Sequence, residues 1–381
     1  MSASYAADSG DKAVGVIPSA TLHDPKRNKD LELSIDYPIH GLSYPVIIFS
    51  HGYGGSSRTY ESLASFWTSY GYVVIRPSHA DANVLRDIYE QQTRVTASGM
   101  GGERRGERRG SRGEPRSSEQ ASGEKREAVR EFVRNAEEAW DKEREPQWRD
   151  RAADISFVID SLNEIEKMFP ELRDKMDHAR IGVGGHSYGA FTSMMIGGMR
   201  TFSTPPVSAA DPRVKAIVAM SPQGVSETRG LTPQSWADVK LPMLFMTGSN
   251  DRGASATEDA DWRRTAYVNA PAGDKYFVEI EGARHLSFTG RASDLSEAFA
   301  AMRDDRPITT ASPRGTNVAD TSAARRPSDR TFFAERQIFS NIRQISLAFW
   351  DAFLKNEPKA HTYLDKDLEA TKSASVKAEK K

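Results

Sequence analysis

Residues 180–198 read RIGVGGHSYGAFTSMMIGG. Ile181 and Val183 lead as a short apolar run into glycines, and small residues and methionines follow at helical spacing. The pattern predicts a buried strand, a sharp turn and a helix. Gly185 and Gly189 bracket Ser187; lacking β-carbons, they allow a tight turn and a close approach of helix to strand. Such a turn either presents a serine hydroxyl for chemistry or is a plain strand-to-helix connection. The rest of the chain decides between them.

Upstream, LELSIDY (31–37) alternates apolar and polar residues as a half-buried strand does, and YPVIIFSHGYGG (44–55) is a continuous apolar run ending in glycines. SSRTYESLASFWTSYG (56–71) reads as a helix capped by Ser56 or Ser57 and ended by Gly71. YVVIRPSHAD (72–81) gives the next buried strand, and Ile155, Val158, Ile159, Leu162 and Ile165 mark one helix over 148–167. Downstream come strand VKAIVAM (214–220), strand LPMLFMTG (241–248) and helix ATEDADWRRTAYV (256–268). Strand KYFVEIEG (275–282) and a closing helix over 335–355 complete the series. Strand and helix alternate, so the expected fold is a doubly wound, mostly parallel α/β sheet with helices on both faces.

The 381 residues suffice for one α/β domain with insertions, and a formal net charge of −1 gives no global attraction to nucleic acid or anionic membranes. With no cysteine, disulfides, thiolate metal sites and cysteine nucleophiles are excluded. No apolar run approaches the ~20 residues of a membrane-spanning helix. The opening MSASYAADSGDK lacks a basic segment followed by an apolar core, so the chain as written reads as one without an export signal.

Two stretches break the alternation. Residues 98–150 hold 13 basic and 13 acidic residues, including the near-repeat GERRGERRG. So charged a stretch supplies no core strand, and 98–147 is expected to be a solvated insertion rather than a nucleic-acid patch. Residues 304–331 read as a long loop, either a lid or a disordered segment.

A serine hydroxyl needs a base. Of eight histidines, His285 stands in EIEGARHLSF, directly after the last expected buried strand, where a loop at the sheet's carboxyl edge reaches the serine. His51, at a strand end, is expected to order its own loop. An imidazole needs an acid to fix its tautomer. Asp251, in LPMLFMTGSNDRG, follows the preceding buried strand, whereas its competitors Asp211 and Asp261 do not directly follow one. The order Ser187, Asp251, His285 is the one this sheet architecture uses. The amides of Tyr53 and Tyr188 are the expected oxyanion donors, and their rings the expected wall of an acyl or aromatic substrate site.

FSHGYGG, GHSYGA, MTGSNDRG and GARHLSFTG resemble the oxyanion loop, nucleophile elbow, acid turn and histidine loop of α/β-hydrolases. DPKRNKDLELSIDYP and GARHLSF are most similar to bacterial dienelactone-hydrolase-like and platelet-activating-factor-acetylhydrolase-like esterases. Ser187 departs from true dienelactone hydrolases, whose nucleophile is cysteine. GYGG with a tyrosine after the nucleophile also resembles cutinases and polyester hydrolases. The resemblance implies an α/β-hydrolase fold and a serine esterase acting on a small or polymeric ester, without metal or cofactor. A non-catalytic member of the same fold, binding a partner through its charged insertion, is the competing reading, and the complete set of three roles argues against it.

Overall fold

The computed structural model describes residues 5–6, 9–82, 147–202, 207–253, 257–290, 329–368 and 375–381. The expected insertion at 98–147, its last residue apart, and the expected loop up to residue 328 lie outside them. Among the described residues nine strands run β1 (Val14–Asp24), β2 (Lys29–Pro38), β3 (Tyr44–Ser50), β4 (Val73–Ser78), β5 (Met176–His186), β6 (Val214–Met220), β7 (Met243–Asn250), β8 (Lys275–Arg284) and β9 (Val376–Lys380). They form one sheet in the order β1-β2-β4-β3-β5-β6-β7-β8-β9. From β4 to β8 every neighbouring pair is parallel. The margins are antiparallel, β1 on β2, β2 on β4, and β9 on β8.

The helices are α1 (Glu61–Ser69), α2 (147–160), α3 (Leu162–Met168), α4 (Tyr188–Ile196), α5 (Ala260–Asn269), α6 (Asp329–Leu354) and α7 (Pro358–Thr362). Period-two alternation sends one set of strand side chains to each face. Ile47, Phe49, Val74, Val218, Met246 and Val278 join the core built with Leu63 and Trp67 of α1 and Ile342 and Trp350 of α6. On the opposite face, β-carbons added at Gly197 after α4 would touch Ile217 and Met243, and Phe245 meets Tyr267 of α5 edge-on. Each such side chain, once buried, contributes about 1.5–3 kcal/mol. A mostly parallel sheet covered by helices on both faces in this strand order is the α/β-hydrolase fold.

Several local expectations change. Neither Ser56 nor Ser57 caps α1: the helix starts a turn later behind Tyr60, which makes no side-chain cap. The single helix expected over 148–167 is interrupted at Ser161. α5 is capped by Asp259, whose carboxylate accepts the Trp262 N–H at 3.0 Å. α6 begins at Asp329, inside the expected loop. The strands β1 and β9 are additions to the sequence reading.

Candidate active site

β5 ends at His186 and α4 begins at Tyr188, leaving Ser187 alone at the turn with φ 56° and ψ −117°. A non-glycine residue held there costs about 1–3 kcal/mol. Two bonds hold it: the Ser187 N–H donates to the Met220 carbonyl on β6 at 2.9 Å, and the Ser187 carbonyl accepts the Phe191 N–H at 3.1 Å. The flanking glycines are required sterically. A β-carbon on Gly185 would lie 2.2 Å from the Gly189 carbonyl oxygen, and one on Gly189 would lie 2.0 Å from the Ser50 carbonyl oxygen at the end of β3.

Because β5, β7 and β8 are parallel, the residues following them emerge at one edge. His285 directly follows β8, and Asp251 follows β7. His285 Nε2 lies 2.9 Å from Ser187 Oγ, and His285 Nδ1 lies 2.8 Å from Asp251 Oδ1. The carboxylate accepts the Nδ1 proton, which leaves the Nε2 lone pair facing the serine hydroxyl. Asp251 is fully buried; Thr247 Oγ1 donates to its Oδ2 at 3.0 Å, and Arg263 Nε stands 3.0 Å from the same oxygen. Burial opposes ionisation of Asp251, but the Arg263 guanidinium and His285 outweigh it and hold the carboxyl well below the usual carboxylate range. Arg263 Nη1 donates to the carbonyls of Ser221 and Pro222, both at 2.9 Å, and its Nη2 lies 3.3 Å from His285 Nδ1. Since Nδ1 gives its proton to Asp251, Arg263 acts on the imidazole as a nearby positive charge. The competing aspartates stand elsewhere: Asp211 is paired with Arg213 at 2.7 Å, and Asp261 is exposed in the first turn of α5.

The loop after β3 approaches from the other side. His51 Nδ1 donates to the Gly52 carbonyl at 2.6 Å, and its Nε2 accepts the His79 N–H at 3.0 Å, so His51 orders this loop. Gly52 N–H donates to Tyr60 Oη at 3.2 Å, and Gly54 N–H to Asp81 Oδ2 at 3.0 Å. Tyr53, between them, is half-buried with its ring 6.3 Å from the Tyr188 ring. Tyr188 is buried and opens α4, so its N–H belongs to the first-turn amides that point outward from a helix end. His186 binds the edge together: Tyr60 Oη donates to its Nδ1 at 2.8 Å, and its Nε2 donates to the His285 carbonyl at 2.8 Å. Burial, with the neighbouring His285, pushes the His186 pKa well below its ordinary value, consistent with this neutral tautomer.

Ser50, His79 and Asp154 repeat the same bonding order, with Ser50 Oγ 2.8 Å from His79 Nε2 and His79 Nδ1 2.8 Å from Asp154 Oδ2. All three side chains are buried; with no exposed hydroxyl to meet a substrate, they anchor the end of β3. Sequence reading missed Arg151, Asp81, Tyr60 and Arg263. For the two arginines a signal exists: Arg151 lies on the helical stripe of Trp148, Ala152 and Ile155, and Arg263 on that of Ala266 and Tyr267, and all are buried. A charge on an apolar stripe signals a buried partner.

Fold and site together define the class: an α/β-hydrolase-fold chain with a serine, a histidine and an aspartate hydrogen-bonded in series at the carboxyl edge of its sheet. Residues 31–204 match the family model described as platelet-activating factor acetylhydrolase, isoform II, and residues 126–303 match the one described as PET hydrolase-like. The chain is 24% identical over 263 residues to the Cavia porcellus protein named platelet-activating factor acetylhydrolase. That alignment covers 65% of this chain and 49% of the relative, so the chain spans about half the length of the curated relative it matches. Among the described residues, no helix is long and apolar enough to cross a membrane.

Proposed function

We propose that the chain is a serine carboxylic-ester hydrolase working through an acyl-enzyme. Ser187 Oγ attacks the ester carbonyl while His285 Nε2 takes its proton, and Asp251 holds the imidazole and balances the imidazolium. The backbone N–H groups of Tyr53 and Tyr188 hold the oxyanion, each worth roughly 3 kcal/mol of barrier. Collapse of the tetrahedral adduct breaks the bond to the alcohol, which leaves with the proton from His285. Water, deprotonated by the same imidazole, then releases the acid and restores Ser187. Of the two rings expected to wall the substrate site, the half-buried Tyr53 keeps that role in this reading; Tyr188 is buried under Arg151 and does not, backing Tyr53 at a ring separation of 6.3 Å instead. The observation that carries this reading is the unbroken series Ser187–His285–Asp251, at 2.9 and 2.8 Å.

The first substrate to test is a short-acyl ester such as p-nitrophenyl acetate, in keeping with the name of the Cavia porcellus relative. Wild-type protein is expected to turn it over and to be labelled at Ser187 by a fluorophosphonate. Ser187→Ala is expected to lose at least about 10⁴-fold in kcat and all labelling; an unlabelled, inactive wild-type protein refutes the reading. The match to a PET hydrolase-like model over residues 126–303 favours a second substrate class, aromatic polyesters. Release of aromatic acid from an insoluble polyester film, beside p-nitrophenyl acetate turnover, separates the two.

A further inference from the structure

Of the polar groups around the Ser187 edge, one buried pair has no role in the reaction described above. Arg151 on α2 and Asp81 after β4 are both buried. They meet in a two-pronged ion pair, with Nε to Oδ1 at 2.9 Å and Nη2 to Oδ2 at 2.7 Å. Each also grips the loop after β3: Arg151 Nη1 donates to the His51 carbonyl at 2.8 Å, and Asp81 Oδ2 accepts the Gly54 N–H at 3.0 Å. The guanidinium carbon stands 4.3 Å over the ring of Tyr188, the residue directly after Ser187.

We propose that the Arg151–Asp81 ion pair positions the oxyanion site, fixing residues 51–54 so that the Tyr53 N–H is aimed at the same point as the Tyr188 N–H. The inference rests on the esterase reading above and deepens it by naming what sets its transition-state geometry. Tyr53 lies between two gripped peptide units, so its amide plane follows from theirs. The stack on Tyr188 registers this loop against the helix that supplies the second donor. Arg151 also carries two neutral histidines alongside it. Burial, reinforced by the charge of Arg151, pushes the pKa of both His51 and His79 below the ordinary histidine value. Burial opposes ionisation of Asp81, and Arg151 outweighs it, holding that carboxyl well below the usual range. Asp81 therefore stays ionised, and the two histidines uncharged, through neutral pH. A guanidinium is suited to the task because its planar fork engages a carboxylate with two prongs while a third N–H remains for a carbonyl.

Arg151→Lys, Asp81→Asn and the double variant Asp81→Asn/Arg151→Gln test the proposal, with kcat and KM for p-nitrophenyl acetate measured separately. Binding of an aryl boronic acid, which forms a tetrahedral adduct with the serine, and Tm are measured alongside. Each folded variant is expected to lose about 10- to 100-fold in kcat, with KM held within about threefold, because a displaced donor is felt in the transition state and not in the ground state. Boronic acid affinity is expected to fall by a similar factor. The lysine variant keeps the charge but not the fork, and the double variant leaves no uncompensated buried charge, so the result stands even where Asp81→Asn unfolds. A folded variant with kcat within about twofold of wild type, or a loss confined to KM, overturns the proposal. Wild-type protein that neither hydrolyses the ester nor labels at Ser187 refutes the esterase reading instead.

Discussion

Around Ser187 the positive φ, the two glycines and the backbone hydrogen bonds to Met220 and from Phe191 form one steric unit. Gly189→Ala is expected to push α4 off β3, lowering Tm and reducing ester turnover by more than about 100-fold, since a displacement near 1 Å is that costly; equal Tm and activity in the variant would contradict it. Arg263 tests the electrostatics. Among the described residues, the groups that meet the His285 ring include Asp251, Arg263, His186, at a ring separation of 4.7 Å, and Ser187. Arg263 is a cation among them, and on the reading proposed above it opposes protonation of the imidazole that serves as base. Removing it by Arg263→Gln is therefore expected to move the acid limb of kcat/KM to higher pH, as read from a pH–rate profile; an unmoved or lowered limb would contradict it. That Ser187, Asp251 and His285 meet at one sheet edge was legible in the sequence because each stands just past a strand marked by a buried apolar run. Asp81 was not, and of Arg151 only its place on a buried stripe could be read: the two lie 70 residues apart in sequence, and the loop groups they hold are backbone ones, which leave no residue-type signature.

Among the elements, the parallel strands were legible because burial on both faces makes them continuous apolar runs. The margins were not. β1 alternates exposed and buried positions around Pro18 and Ser19, and β9 reads VKAEK, a composition as compatible with a solvated tail as with a strand. β9 earns its place by pairing with β8 and through Arg264, which donates to Glu379 at 2.9 and 2.5 Å; lysine-rich edges also resist pairing with other chains. α1 was placed by its apolar face, while its start was misread because cap-type serines are equally at home in the turn ahead of it. For the charged insertion, deletion of residues 100–145 is expected to leave small-ester turnover within about threefold. A folded deletion variant without activity would make that stretch part of the site.

Across the whole molecule, buried histidines couple stability to acidity. The pKa values of His51, His79 and His186 are all pushed below the ordinary histidine value, with burial as the largest cause. In the unfolded chain each takes a proton as pH falls below about 6.5, while in the folded protein each remains neutral further down. The unfolded state then binds more protons, so their contribution to stability is complete above that pH and is lost on acidification. Three such groups give a slope of up to about 4 kcal/mol per pH unit. Tm is expected to fall steadily from pH 7 to pH 5 in low-salt buffer; an unchanged or rising Tm would rule this out. His186 also has a spectroscopic consequence. Its ring joins Tyr60, the turn at Ser187 and the His285 carbonyl, so the single proton on its Nε2 is sheltered from exchange only while those segments are docked. A persistent downfield imidazole resonance would thus give a label-free gauge of an assembled reaction centre, vanishing as soon as any one of the three peels away.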